Sequence, residues 1–511
     1  MDYRLEFPIT ERYNRKMWFD PTAQIPVQLG FPVTGGFEFA TSSERSPYDL
    51  YTKQFGPRVG VAYQAFQHTV VRSGFGMFWI PAAITEVTGD VRAPAWDVST
   101  QMITSLNNGI TPYNTLDNPF PQGIQTAPGG SAGLLTLIGQ NAAANQRYFH
   151  TGYMGQWNFD IQQELGNEMV LEVLYAGSTG VGLPAEWASQ MNQLPDSDLS
   201  KGAALQQMVA NPYASVVTSG PLSLPTIQAG QLLRPYPQFQ TLYVEGDPLG
   251  HSSYHSLQAQ FKKRFSASVV AVGYTAAKCL GDTESRTDWL EGGSQGTSMG
   301  FTDAYNRRLD RSLCAEDVSQ RMTVNYSLDV PFGKGHHLLS NLGPANRLVD
   351  GWQVSGLYTA QSGTPVGVGT QTNLTGNYNA VTDVYGSYDA NSRPNVSGNP
   401  AISGSAESRL NEYFNTSMFS QPAPYTYGTA PRMFGNIRWP GMNNLDLGVF
   451  KNNKFGHDDR FNLQFRAELF NSMNHVQFGA ADMYIGDPTF GVISSQKNNP
   501  RQIQLALKLI Y

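Results

Sequence analysis

Apolar and polar residues alternate with a period of two along much of this chain. In its last segment Ile503, Leu505, Leu507, Leu509 and Tyr511 share one parity, and Gln502, Gln504, Ala506 and Lys508 the other. Met322, Val324, Tyr326, Leu328 and Val330 oppose Thr323, Asn325, Ser327 and Asp329. Phe461, Leu463, Phe465, Ala467 and Leu469 oppose Asn462, Gln464, Arg466 and Glu468. Trp157, Phe159 and Ile161 stand against Asn158, Asp160, Gln162 and Glu164, and Leu257, Ala259 and Phe261 against Gln258, Gln260, Lys262 and Arg264. Successive side chains of a strand point to opposite faces, so each segment reads as a strand with one apolar and one polar face. Two architectures fit such faces. A soluble antiparallel sandwich turns the apolar face inward; a membrane barrel turns it to lipid and the polar face to a watery lumen.

The connections separate the two. The pattern predicts strands at about 1–7, 55–64, 67–80, 153–164, 169–178, 252–264, 267–278, 318–331, 348–361, 444–452, 459–471 and 500–511. Short turns near 65–66, 165–168, 265–266 and 453–458 alternate with long loops at 8–54, 81–152, 179–251, 279–317, 362–443 and 472–499, and a middling link at 332–347 takes a short-turn place. Antiparallel neighbours joined this way put every short turn at one end and every long loop at the other. Outer-membrane barrels have that asymmetry, with short periplasmic turns and long extracellular loops, and a sandwich has no reason to keep it. The fold class read here is all-β, an antiparallel transmembrane outer-membrane β-barrel. Long loops gather Pro, Gly, Asn and Ser, as at Pro112, Tyr113 and Asn114 or from Asn373 to Tyr378, while Phe75, Phe78, Trp79, Trp352 and Tyr358 sit at strand ends where interfacial girdles belong.

Composition agrees. Only 14% of residues are charged against 12% aromatic, with 51 glycines, which suits β-structure with irregular connections rather than a coiled coil or a disordered chain. A net charge of −6 argues against a nucleic-acid partner. No window approaches 18 consecutive apolar residues, so no transmembrane helix is expected, and a strand-built membrane protein is untouched by that.

Several segments resemble the C-terminal barrel of TonB-dependent receptors of the Oar-like, acidobacterial type, which often carry an N-terminal carboxypeptidase regulatory-like domain. The strongest is the run from Phe461 to Asn471, followed by Asn474, His475, Gly486 to Gly491 and Asn499 to Gln504. Phe55 to Tyr63 with Val71 to Gly76, Trp157 to Leu165 with Leu171 to Gly180, Tyr254 to Gln258 with Lys263 to Phe265, and Val330 to Gly335 before Gly351 to Gly356 keep the order. The resemblance implies an outer-membrane location, lipid around the barrel, recognition by the barrel assembly machinery through the terminal strand ending at Tyr511, and contact with TonB only where the N-terminal part is present. Two departures stand out. Met1 to Phe7 has no apolar signal-peptide core, and no plug, TonB box or first barrel strands are recognisable. The resembled barrel has about 22 strands and about 12 are read here. The expectation is therefore that residues 1–511 form the C-terminal portion of a barrel, open, with edges near Met1–Phe7 and Gln502–Tyr511.

Chemistry is sparse. Gly129, Gly130, Ser131, Ala132 and Gly133 spell a hydrolase elbow, but the elbow needs a strand before it and a helix after, and Pro128 precedes it in a Gly/Pro-rich loop. None of His68, His150, His251, His255, His336, His337, His457 and His475 has metal-motif spacing; His251 and His255 share a parity, but a satisfied lumen or loop histidine is the plainer reading. No cofactor and no catalytic residue is read. Cys279 and Cys314 flank one long loop; they are either buried free thiols or, in an oxidising compartment, a disulfide. On the polar parity Asn158, Asp160, Gln258, Gln260, Lys262, Asn325, Arg466 and Glu468 are candidates to line the lumen. In the resembled family they would meet the plug or the passing solute; the plainer reading of each is tolerance of water. Uptake of a bulky solute is the leading expectation. A non-transporting surface protein with glycan- or protein-binding loops is the alternative, and a secreted carbohydrate-active enzyme, which needs paired carboxylates in one cleft, comes last.

Overall fold

Eleven long strands build a single antiparallel sheet: β1 (Arg58–Phe66), β2 (Thr69–Trp79), β3 (Tyr153–Gly166), β4 (Met169–Ala185), β5 (Asp247–Phe265), β6 (Ser268–Gly281), β7 (Gln320–Asp329), β8 (Trp352–Gln361), β9 (Met442–Phe455), β10 (Phe461–Phe470) and β11 (Gln502–Ile510). Each pairs with its neighbours in sequence, a continuous up-and-down meander, and the two-residue strand Ser312–Leu313 adds a twelfth member at the end of β6. The computed structural model describes residues 2–511 apart from 82–93, 99, 101, 103, 106–109, 122, 125, 145–146, 149, 186–188, 218–220, 245–246, 266–267, 284–300, 334–337, 340–341 and 371–392. The run from Asn373 to Tyr378, His336 and His337 lie outside the described residues.

The short links 67–68, 167–168, 266–267 and 456–460 and the middling link 330–351 join strands at one end of the sheet, and the long segments 80–152, 186–246, 282–319, 362–441 and 471–501 join them at the other. Tight turns need left-handed backbone: Gly166, Asn167 and Glu168 have φ of 79°, 48° and 59°, which reverses β3 into β4 within two residues. Ile510 pairs with Asn462, so Tyr511 lies at the short-link end.

Register makes the two faces continuous. Tyr63, Val71, Ile161, Val173, Ala259, Tyr274, Met322 and Ala360 form one unbroken row from β1 to β8, and Val324, Tyr358 and Leu445 run in the next. Ala62, Arg72, Asp160, Leu174, Gln258, Thr275, Arg321 and Gln361 form a row on the opposite face. Leu463, Leu505, Leu507 and Leu509 are exposed; Val324, Tyr326, Leu328 and Phe465 are half-buried. Within β1 to β11 the buried positions are glycines and polar residues, among them Asp160, Ser256, Thr359 and Lys451, and no buried apolar side chain is found there among the described residues. A sandwich would bury its apolar rows under a second sheet. Here they are left for a hydrocarbon solvent, which in water would be a large sticky patch.

The apolar core sits instead in the long segments. Met17, Phe19 and Phe37 of the segment before β1 pack with Ala95 and Ala142 of 80–152 and with Phe239 and Leu242 of 186–246, and Val366, Phe414, Phe434, Trp439 and Ile493 pack two others together. Small hairpins such as Met17–Gln24 with Thr34–Phe39 give this cap its own secondary structure.

Three expectations are corrected. Residues 1–7 do not form a spanning strand: Asp2–Tyr3 pairs only with Phe55–Gly56 at the loop end, off the main sheet. Pro57, next in line, has no N–H to extend that ladder. The first edge is therefore β1, and no pairing joins it to β11, so the sheet is open. Phe78 lies on the polar face, where Arg58 stacks over its ring at 4.6 Å, and does not join the lipid-side girdle.

Candidate functional site

The polar face gathers all eight lumen candidates on one wall. Asp160 is almost fully buried, 2.8 Å from Arg72 Nη1, while Arg72 Nη2 donates to Gln162 Oε1 at 2.6 Å. Asn158 lies one pair along, opposite Gly74 and Ala176. Gln258 Nε2 donates to Ser256 Oγ at 3.2 Å. Gln260 and Lys262 line a hollow of about 580 Å³ toward the short links, with Glu164, Glu172 and Arg264 around it. Lys262 faces Ala271, whose other neighbour is Asn325. On β10, Arg466 Nε donates to Gln464 Oε1 at 2.6 Å and its guanidinium lies 5.5 Å from the Phe450 ring centre, and Glu468 stands between Gly448 and Gln504. A second hollow, bordered by Arg58, Gln156, Asn158 and Ser178, opens on the same face. β3 and β10 are seven strands apart, about 34 Å across the sheet, so these residues form a wall that a large solute or a protein segment could slide along, not one cleft.

Above the wall the long segments are stapled by charge. Cys279 and Cys314 form a disulfide with Cα atoms 5.4 Å apart, and Cys314 N–H donates to Cys279 O at 3.1 Å. Asp317 accepts from Cys279 N–H and pairs with Arg438. Arg393 pairs with Asp310 at 2.7 Å, both side chains nearly inaccessible, and donates to Leu309 O. Burial pushes the Asp310 carboxyl up while Arg393 and the Thr302 N–H and hydroxyl pull it back; burial likewise pulls the Arg393 guanidinium down, against Asp310. Arg432 donates to Asp310 O and Gly281 O. Arg393, Arg432 and Arg438 thus hold 302–317 in place. Nearby, Gln193 donates to Asp303 at 2.8 Å and accepts from Ala304 N–H, Tyr305 O–H donates to Gln193 O, and Tyr427 O–H reaches Asp196 at 3.1 Å, joining three long segments at one point. Periodicity gives no sign of these staples. The one usable signal is charge density, since 12 of the 38 residues of 282–319 are Asp, Glu or Arg against 14% for the whole chain.

Other candidates separate. Ser131 Oγ donates to Pro128 O inside a 3-10 turn with no strand before it. His251 sits by Asp282 at 3.4 Å and His255 Nδ1 is 2.8 Å from Tyr175 Oη, so the two histidines have separate partners. Among the described residues no group of three or more His, Cys, Asp or Glu side chains is placed to hold a metal.

Comparison with known proteins gives a family and weak structural likenesses. No curated protein matches the sequence. The outer membrane transporter YddB from Escherichia coli aligns at 9% identity over 87% of this chain and 38% of its own, with a TM-score of 0.39. BauA, the ferric preacinetobactin receptor from Acinetobacter baumannii, aligns at 10% identity over 93% and 38%, TM-score 0.35, and the FrpB iron transporter from Neisseria meningitidis at 9% over 95% and 41%, TM-score 0.33. The chain spans about two fifths of the length of these proteins. The family described as Outer membrane beta barrel domain matches residues 2–504, nearly the whole chain, and with its continuous apolar and polar faces the protein belongs to that outer-membrane β-barrel family.

Proposed function

We propose that this chain supplies wall and loop cap to a TonB-dependent transporter that takes up a bulky solute across the outer membrane. The observation that carries the reading is the continuous polar wall, from Arg72 and Asp160 to Arg466 and Glu468, lying behind an equally continuous lipid-facing surface and beneath a folded cap. The ordered family-like segments support it. Residues 1–511 act as the C-terminal portion of the barrel, the long segments face the cell exterior, and Asn158, Asp160, Gln258, Gln260, Lys262, Asn325, Arg466 and Glu468 meet the plug or the solute. TonB and the assembly machinery, engaged through β11, are the partners this reading implies, and no enzymatic step is part of it.

The buried apolar cores of the cap favour one second reading, a surface protein that captures glycan or protein without transport. Uptake of a panel of large labelled solutes is the test, in cells with and without the chain and with and without TonB. Uptake needing both supports transport. Surface retention that ignores TonB, with no uptake, supports capture and ends the transport reading.

A further inference from the structure

Among the described residues the lipid-facing rows of β1 to β11 carry one carboxylate, Asp247, which is buried beyond a bulge at the cap end of β5 opposite Ala185. Their few basic side chains fall at the two rims. Lys263 and Lys451 lie beside the short links, and Lys451 Nζ turns to Asn453 Oδ1 and to main-chain oxygens there. At the other rim His251 faces Asp282, while His255 and Lys278, directly opposite each other on β5 and β6, have no carboxylate partner among the described residues. Both are exposed on the lipid side.

They sit on an aromatic shelf. Tyr175 stacks on the His255 ring at 18° with its hydroxyl 2.8 Å from Nδ1, and Trp157 lies 6.1 Å from the same ring. The indole rests on Gly177, where a Cβ would come within 2.4 Å of Nε1, so only glycine lets the ring lie flat there. In the tautomer where the phenol donates to Nδ1, the imidazole hydrogen is on Nε2. Trp157 Nε1–H, His255 Nε2–H and Lys278 NH₃⁺ then offer donors from one patch, with the apolar rows of Tyr175, Leu257 and Ala276 directly below. Donors and positive charge at the top of a lipid-facing wall, with no acid paired to His255 or Lys278 among the described residues, complement an anionic amphiphile.

We propose that Trp157, His255 and Lys278 bind the phosphate-bearing headgroup of a lipid in the outer leaflet, its chains lying along the apolar rows below. Attraction of one lysine to an anionic membrane surface is worth about 1 kcal/mol, so losing it should weaken retention about fivefold.

The test is native mass spectrometry of the full chain released from neutral detergent doped with phosphatidic acid or with phosphatidylcholine. Wild type is expected to keep one phosphatidic acid in preference to phosphatidylcholine. Lys278→Gln should lower that retention about fivefold, and His255→Gln, which removes one hydrogen-bond donor, should lower it as well. Lys278→Arg should preserve it, and Lys263→Gln, at the opposite rim, should leave it unchanged. Equal retention of phosphatidylcholine, an equal loss in Lys263→Gln, or a Lys278→Arg variant as impaired as Lys278→Gln would each overturn the assignment. So would full displacement by millimolar inorganic phosphate, which would make it a free-anion site rather than a lipid site.

Discussion

Val324 and Asn325 are chain neighbours with opposite surroundings. Val324 stands between Val272 and Tyr358 on the lipid face, and Asn325 between Ala271 and Leu357 on the polar wall. A guanidinium at Val324 must enter hydrocarbon or bend its wall; one at Asn325 meets water. Val324→Arg is expected to cost about 2–4 kcal/mol if that row lies near the membrane midplane, and Asn325→Arg close to nothing. Urea unfolding of the chain refolded in bilayers reads both, and equal costs would refute the assignment of faces. At this scale the sequence was a good guide wherever parity alone decides, because a period of two is a local property. It failed at Phe78, which the run of aromatics suggested for the lipid side. Parity with Gly76 and a cation beneath its ring put it on the other face.

Segments between strands behave differently from the strands themselves. Eleven of the twelve strand expectations correspond to β1 to β11, since alternation and turn residues are written locally. The cap was not legible: Arg393 meets Asp310, Gln193 meets Asp303 and Phe19 meets Tyr236 across long stretches of chain, and nothing periodic announces such contacts. The disulfide closes a separation of 35 residues, from which chain-entropy reasoning gives about 3–4 kcal/mol. Reduction should speed amide exchange through Phe301–Asp317 and leave β5 to β7 protected; faster exchange across the strands as well would mean that the bridge supports the sheet. The junction at Asp196 should answer to pH. Burial first, and then Asp303, pushes the Asp196 carboxyl above its ordinary value of 3.8, with Tyr427, Tyr305 and Asp198 also facing the cluster. An acid whose folded pKa is raised holds its proton more tightly when folded, so its contribution is complete below that ordinary value and fades as pH rises through the raised one. Protection at 193–196 and 303–305, corrected for intrinsic exchange, should therefore be greater at the acid end of that window than at neutral pH. Asp196→Asn should flatten the difference, and an unchanged pH profile in that variant would assign the effect elsewhere.

The main sheet has two free edges. An odd number of antiparallel strands leaves β1 and β11 running the same way, from the cap toward the short links, so joining them edge to edge requires a parallel ladder in an otherwise antiparallel sheet. Antiparallel closure needs an odd number of further strands between them, and the pairing of Asp2–Tyr3 with Phe55–Gly56 supplies only a two-residue contact beside β1 at the cap. An unpaired edge in a bilayer leaves polar backbone groups with no partner, which is why spanning sheets close. Detergent and interfacial water can satisfy such edges where a bilayer core cannot. The chain by itself, refolded in zwitterionic detergent, should accordingly show a gradient of amide protection. Strands β4 to β6 are flanked on both sides and should exchange slowest. About every second N–H of β1 and β11 points outward and should exchange nearly as fast as a loop. A ring closed on itself predicts something else, uniform protection from Val59 to Tyr63 and from Leu505 to Leu509 equal to that of the central strands. Finding that uniformity would show that the sheet closes on itself, and would move the free energy now assigned to missing neighbours into a parallel β1–β11 seam.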